Sequence, residues 1–307
     1  MNILKVSFSD FWGGYDPNDN FWTQTLKKLQ IPYQIVDDNS DLLISSCFGN
    51  SFLRKNSKKK IFWCGENWFR MDTKINELGG LSFIDIFDMV YSFDYNNYEN
   101  HYRLPLYLID CIERNVMDFN LIFRKKSKDL LFTEFKNRKF CTFVQGNGNC
   151  KFRNDYFLNL SNIDRVDSYG SVFNNTGKIL DRNAKIEKTK DYKFALAFEN
   201  SEYDGYVSEK LMDAFKSDIL PIYWGGTEVS SEFNGNSFID VNKLGVDKSL
   251  VLIEQLNTNF DLYWEYYNQK IISDEQKSLI NRINDFDNQF RNFLETILEK
   301  EIKNYDK

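Results

Sequence analysis

Residues 194–226 read FALAFENSEYDGYVSEKLMDAFKSDILPIYWGG, and the fold turns on how this stretch is read. FALAF (194–198) and ILPIYW (219–224) are short apolar runs, the pattern of buried strands. Between them Val207, Leu211, Ala214, Phe215 and Ile219 recur at three- and four-residue spacing. That spacing predicts a helix over 206–218, starting near Gly205–Tyr206. Strand, helix and strand in succession point to parallel α/β organisation. Such sheets bind ligands beyond the carboxyl ends of their strands, so the first run delivers Glu199 and Asn200 to a binding edge. Glu209 and Lys210 fall in the first helical turn. Free N–H groups and the positive dipole end there suit a phosphate, and Lys210 adds a point charge. Gly225 and Gly226 close the second strand, where a backbone can approach a ligand closely. Taken singly, each charge is equally well a solvated loop or helix-start residue. The block is far more specific than any member.

The same alternation extends in both directions. In the first half NILKVSF, PYQIV, DLLISSCF, KKKIFWC and FDMVYSFDY read as strands and NFWTQTLKKL as a helix. In the second half KFCTFV is a strand, RNDYFLNLSN a helix, RVDSYG a strand or loop and SFIDV a further strand. The charged segment 110–137 reads as a helical or loop connection. A chain of 307 residues exceeds what one core serves. The expected division is residues 1–137 as one α/β domain, 138–270 as a second, and 271–307 as a helical tail. In that tail Leu279, Ile283, Phe286, Phe290, Phe293 and Ile297 repeat every three or four residues after a capping-box pattern at Ser273–Gln276. Three readings of this stripe stay open: a helix docked on the body, a homodimer seam, or peripheral membrane contact.

Composition excludes several classes. Net charge is −6, from 39 basic and 45 acidic residues, which argues against a nucleic-acid binder but not against one anionic ligand in a basic pocket. The five cysteines, Cys47, Cys64, Cys111, Cys141 and Cys150, form no C-x-x-C, which fits a reduced chain. No run approaches the length of a membrane span and the start shows no long apolar segment, so the expected location is cytoplasmic, at most peripheral at the inner membrane face. GNG at 146–148 is not a dinucleotide fingerprint, since Lys151 stands where the third Gly would fall. The D-x-D at Asp285–Asp287 lies in the helical tail rather than after a strand. His101 has no Cys or His at ligand spacing, so a metal site built on His is not expected.

Residues 194–226 resemble the signature of the α-1,3-fucosyltransferases, glycosyltransferase family 10, in its bacterial type. The family pattern is F-E-N-[ST], G-Y-V-[ST]-E-K, a helix, then [IV]-P-[IV]-Y-x-G; Ser208 stands where Thr is commoner. CTFVQGNGNCKFRNDYF, VDSYGSVFNNTG, IFWCGENW, YRLPLYL and SFSDFWGG resemble further family segments in order, more weakly in the first half. The resemblance implies a GT-B-like fold, two Rossmann-like domains facing across a cleft. It implies inverting transfer of L-fucose from GDP-fucose to O3 of GlcNAc in an N-acetyllactosamine-type acceptor, free or on a glycolipid, giving a Lewis x-type product with no cofactor or metal. Mapped residue by residue, Glu66 is the candidate general base, with Trp63 and Trp68 as an apolar wall raising its pKa. Arg153 and Lys210 are candidates for the pyrophosphate, and Asn200, Tyr206 and Glu209 for donor binding. Glu209 is also a candidate to stabilise charge at the opening anomeric carbon, and Glu199 is a donor-site or supporting carboxylate. Asp10, Phe11 and Trp12 form a candidate acceptor platform. Alternatives are another GDP-6-deoxysugar, a different surface-polysaccharide acceptor, or a non-catalytic carbohydrate-binding protein on the same fold.

Overall fold

The structure, a computed structural model, describes residues 3–67, 80–113 and 126–305. It divides into two compact units, Met1–Val116 with Leu279–Lys307, and Met117–Ser278.

The first unit contains β1 (Leu4–Ser9), α1 (Phe21–Lys28), β2 (Tyr33–Ile35), β3 (Ser40–Ser45), β4 (Ser57–Cys64), α2 (Phe83–Ile86), β5 (Met89–Ser92), β6 (His101–Arg103) and α3 (Leu106–Glu113). The strands form one parallel sheet in the order β2-β1-β3-β4-β5-β6. Leu42, Leu43 and Ile44 on β3 are all fully buried, because a parallel sheet is covered on both faces. Asn20 and Thr23 cap α1 reciprocally, side chain to backbone in both directions. β6, with the sequence HYR, has no apolar run to announce it.

The second unit contains α4 (Lys128–Asn137), β7 (Lys139–Phe143), α5 (Lys151–Leu160), β8 (Val166–Ser168), α6 (Arg182–Thr189), β9 (Tyr192–Phe198), α7 (Glu209–Lys216), β10 (Leu220–Trp224), β11 (Ile239–Asp240), α8 (Val241–Leu244), α9 (Val246–Thr258) and α10 (Phe260–Tyr267). Its sheet is also parallel, ordered β11-β10-β9-β7-β8. The unit takes in α4, which falls before the expected boundary at 137–138. The reason is aromatic packing: Phe135 lies 5.0 Å from Tyr263 and Phe132 4.9 Å from Phe260, ring to ring.

The last helix, α11 (Leu279–Tyr305), groups with the first unit rather than standing as a separate tail. Its stripe is buried from Leu279 through Ile297. Phe286 packs 5.2 Å from Phe21 and 5.9 Å from Tyr91, and Phe290 lies 5.5 Å from Trp22. Of the three readings of the stripe, the docked helix is the one this packing describes. The helix starts at Leu279, later than expected: the Gln276 side chain accepts from the Ser273 amide at 2.9 Å, but this closes a separate turn. Asp287 of the D-x-D is paired with Lys28.

Half-buried His101, on β6, shares a 2.8 Å hydrogen bond with Ser92 Oγ. Burial, helped by the Arg103 charge, pushes its pKa down from 6.5 to about 4. The unfolded ring takes up a proton below about 6.5 and the folded ring only near 4, so its contribution to stability is full above 6.5 and is lost as pH falls toward 4. The loss is expected to reach about 2 kcal/mol after discounting for partial exposure. Urea unfolding at stepped pH checks this, and His101→Gln is expected to flatten the slope between those values.

Candidate active site

In the second unit, strand order reverses between β7 and β9: β8 lies outside one, β10 and β11 outside the other. The carboxyl ends at such a switch point open a crevice. β7 leads through a loop to the start of α5, and β9 leads through residues 199–208 to the start of α7. Two helix N-termini therefore converge on this edge.

Glu199 is fully buried and organises it. Its carboxylate accepts from the Ser208 amide at 2.7 Å, from the Ser208 hydroxyl at 2.7 and 2.9 Å, and from Lys210 Nζ at 3.0 Å. Ser208 in turn is the N-cap of α7. This delays the helix to Glu209; Gly205 instead turns in the left-handed region at φ 79°. Glu209 and Lys210 still occupy the first turn, and the Lys210 ammonium sits 3.8 Å from Glu209 Oε1. Burial alone would lower the Lys210 pKa; the carboxylates of Glu199 and Glu209 more than reverse it and hold the ammonium charged.

Arg153, in the first turn of α5, is wholly buried. Nη1 donates to Asn200 Oδ1 at 2.9 Å, to the Glu199 carbonyl at 3.2 Å and to the Phe198 carbonyl at 3.4 Å, and Nη2 donates to the Asn147 carbonyl. Every one of these partners is a neutral oxygen, and Nε has none among the described residues. Burial lowers the Arg153 pKa, against the pull of Cys150, Glu199 and Tyr206. Tyr206 is buried, and its carbonyl accepts from Tyr223.

Gly225 and Gly226 are packed closely against the chain itself. A Cβ on Gly225 would run into the Glu199 side chain, and one on Gly226 into the Tyr206 carbonyl. The close approach is made by the chain's own loop. Asp204 bonds Thr227 across the same gap, at the exposed side of the loop.

In the first unit the order reverses between β1 and β3. Asp10, Phe11 and Trp12 follow β1, Phe48 follows β3, and Gly65–Glu66 follow β4. The Asp10 carboxylate accepts from the amides of Ser51 and Phe52 at 2.8 and 2.9 Å and from Ser45 Oγ at 3.1 Å. It holds the loop after β3 in place. Phe11 stacks on Tyr15 at 3.9 Å and lies near-parallel to Trp63 at 6.1 Å. Trp12 meets Phe48 edge to face at 6.2 Å, and both remain about half exposed, at 46% and 45%. The Tyr15 hydroxyl and Trp63 Nε1 are buried under this surface without partners among the described residues. Sequence reasoning missed Phe48 because strand order, not spacing, brings it beside Trp12, and it missed Tyr15 although a local turn, Tyr15 N–H to the Trp12 carbonyl at 3.2 Å, sets that ring beside Trp12. Glu66 is partly buried, and its backbone N–H meets Cys64 Sγ at 3.4 Å. Trp68 lies outside the described residues. Among the described residues no three His, Cys, Asp or Glu side chains gather to hold a metal.

Residues 133–297 match the family model described as glycosyltransferase family 10 (fucosyltransferase) C-term, and residues 6–110 match that of the alpha-(1,3)-fucosyltransferase FucT N-terminal domain. The chain is 28% identical over 293 residues to the alpha-(1,3)-fucosyltransferase FucT of Helicobacter pylori, a match that covers 85% of this chain and 58% of that protein. Among solved structures, an alpha1,3-fucosyltransferase superposes with a TM-score of 0.76 at 25% identity, covering 96% of this chain and 90% of that one. An alpha1,3-fucosyltransferase with GDP-fucose gives 0.72 at 25% identity, covering 97% and 90%. The fold is the α/β, GT-B type of those structures.

Proposed function

Because this chain belongs to glycosyltransferase family 10, the fucosyltransferases, we propose that it transfers L-fucose from GDP-fucose to a sugar hydroxyl. The observation that carries the proposal is the buried Arg153 guanidinium at the β7–β9 switch point beside the start of α7, whose hydrogen-bond partners among the described residues are all neutral oxygens. A leaving GDP gains negative charge, and fixed cations and helix-start amides stabilise it best where water is excluded. Arg153 supplies charge that no hydrogen-bonded carboxylate cancels. Lys210 supplies an ammonium fixed in place by Glu199, which makes Glu199 a positioning residue. Asn200, Tyr206 and Glu209 line the donor side; the Glu209 carboxylate at the first turn meets sugar hydroxyls or the positive charge at the anomeric carbon.

Glu66 is the proposed general base. Its carboxylate removes the proton from the acceptor hydroxyl, the oxygen attacks the anomeric carbon, and the bond to phosphate breaks on the opposite face, inverting the centre. Trp12 and Phe48 offer exposed ring surface to the acceptor sugar, and Phe11 meets Trp12 edge to face at 5.8 Å. O3 of GlcNAc in N-acetyllactosamine is the proposed acceptor position.

Purified protein with GDP-fucose and N-acetyllactosamine is expected to release GDP and form a trisaccharide in equal amounts. Absence of turnover with any GDP-sugar overturns the enzymatic reading; turnover only with other acceptors overturns the acceptor.

A further inference from the structure

The strand register brings together two cysteines that the sequence leaves apart. β3 and β4 run parallel with Ser45 opposite Phe62; Cys47 lies in the bend two residues past the end of β3, and Cys64, two residues past Phe62, ends β4. Leu43, Cys47, Phe62 and Cys64 belong to one apolar cluster, which puts both sulfurs on the same face of the sheet. The two thiols lie close enough for each to perturb the ionisation of the other. The chain segments carrying them leave neighbouring strands about 4.8 Å apart, and a disulfide spans roughly 4.4–6.8 Å between Cα atoms. Cys64 also grips the turn that follows: its sulfur meets the Glu66 amide and the Glu66 carbonyl, each at 3.4 Å.

We propose that Cys47 and Cys64 form a reversible disulfide, a modification site built into the carboxyl edge of the first unit, and that its closure displaces the Glu66 turn. The two thiols are not equivalent. The neighbouring Cys64 thiol lowers the Cys47 pKa, with help from the Ser46 hydroxyl and against burial and the Glu66 charge. Burial holds the Cys64 pKa well above its usual value. Cys47 is therefore the attacking thiolate and Cys64 the resolving thiol.

Cys47 is only 7% exposed, which admits a small oxidant such as hydrogen peroxide rather than a bulky disulfide. The Cys47 sulfur attacks one peroxide oxygen, the O–O bond breaks, and a sulfenic acid and water result. The Cys64 sulfur then attacks the Cys47 sulfur, the S–O bond breaks, and a second water leaves. Two thiols and one peroxide give one disulfide and two waters, with two electrons passing from sulfur to oxygen. An S–S bond of about 2.05 Å replaces a looser thiol contact. Cys64 is drawn away from the Glu66 amide, and the turn carrying Glu66 shifts with it. The activity arm of the test rests on Glu66 as the base; the chemical arm does not.

The full chain is treated with hydrogen peroxide, denatured, alkylated and mapped by mass spectrometry. The expected product is lighter by two hydrogens, carries a peptide linked between Cys47 and Cys64, and keeps three of its five thiols alkylable. Dithiothreitol restores all five. Transfer is expected to fall at least about tenfold with linkage and to recover on reduction. Cys47→Ser is expected to transfer normally and to resist peroxide. Oxidation that ends in sulfinic acid, or linkage between any other pair, overturns the site. Full linkage with unchanged transfer overturns the displacement of the Glu66 turn. A sample without transfer before treatment counts against the enzymatic reading alone, because the mass map still decides the disulfide.

Discussion

Glu66→Gln is expected to lower the rate of transfer by about 10²–10⁴-fold while leaving GDP affinity unchanged. The amide keeps the shape of the carboxylate but cannot take the acceptor proton. The backbone N–H that meets Cys64 Sγ is untouched by the exchange, so the turn after β4 keeps its anchor. The proposed donor residues, Arg153, Asn200, Tyr206, Glu209 and Lys210, all belong to the other unit. A group that acts only on the nucleophile removes transition-state stabilisation and not ground-state donor binding, so kcat falls while the GDP dissociation constant does not. Single-turnover kinetics and GDP titration calorimetry read the two quantities separately. Collapse of GDP binding with surviving turnover at high donor concentration removes Glu66 from the base role.

The strands were legible because parallel sheets bury both faces. DLLIS, FALAF and LPIYW carry uninterrupted apolar runs, and each became a strand. HYR carries no such run and is held in the sheet only by pairing with β5, so β6 could not be seen in advance. The start of α7 was misplaced by three or four residues because spacing alone cannot register the Glu199 carboxylate, which captures the Ser208 amide and fixes the cap there. The same long-range capture gave Gly225 and Gly226 their role against the chain's own loop. Arg153 was legible as a residue but not in its setting. Its partners come from the loop after β7 and the end of β9, and only strand order makes those neighbours. The family resemblance of SFSDFWGG pointed to Phe11 and Trp12, while Phe48 entered through the adjacency of β1 and β3.

Lys210→Ala is expected to do two separable things. It removes an ammonium proposed to meet the pyrophosphate, which weakens GDP by about 10- to 100-fold, the range for a hydrogen bond to a charged group. It also leaves the fully buried Glu199 carboxylate without its cation. Breaking a buried pair from one side costs about 3–5 kcal/mol, more than the pair contributes over a neutral replacement, because the remaining charge is uncompensated. Removing both charges together, as Glu199→Gln with Lys210→Met, is therefore expected to recover most of the stability and none of the GDP affinity. Urea unfolding reads the first quantity and calorimetry the second. In the unaltered protein the raised Lys210 pKa keeps the ammonium charged, so GDP affinity owes no alkaline decline to this lysine until pH rises past the ordinary lysine value of 10.5. Unchanged GDP affinity in Lys210→Ala excludes the lysine from the donor site. Wild-type stability in the same variant would mean that Glu199 finds another partner, and the positioning role assigned to it here would fall.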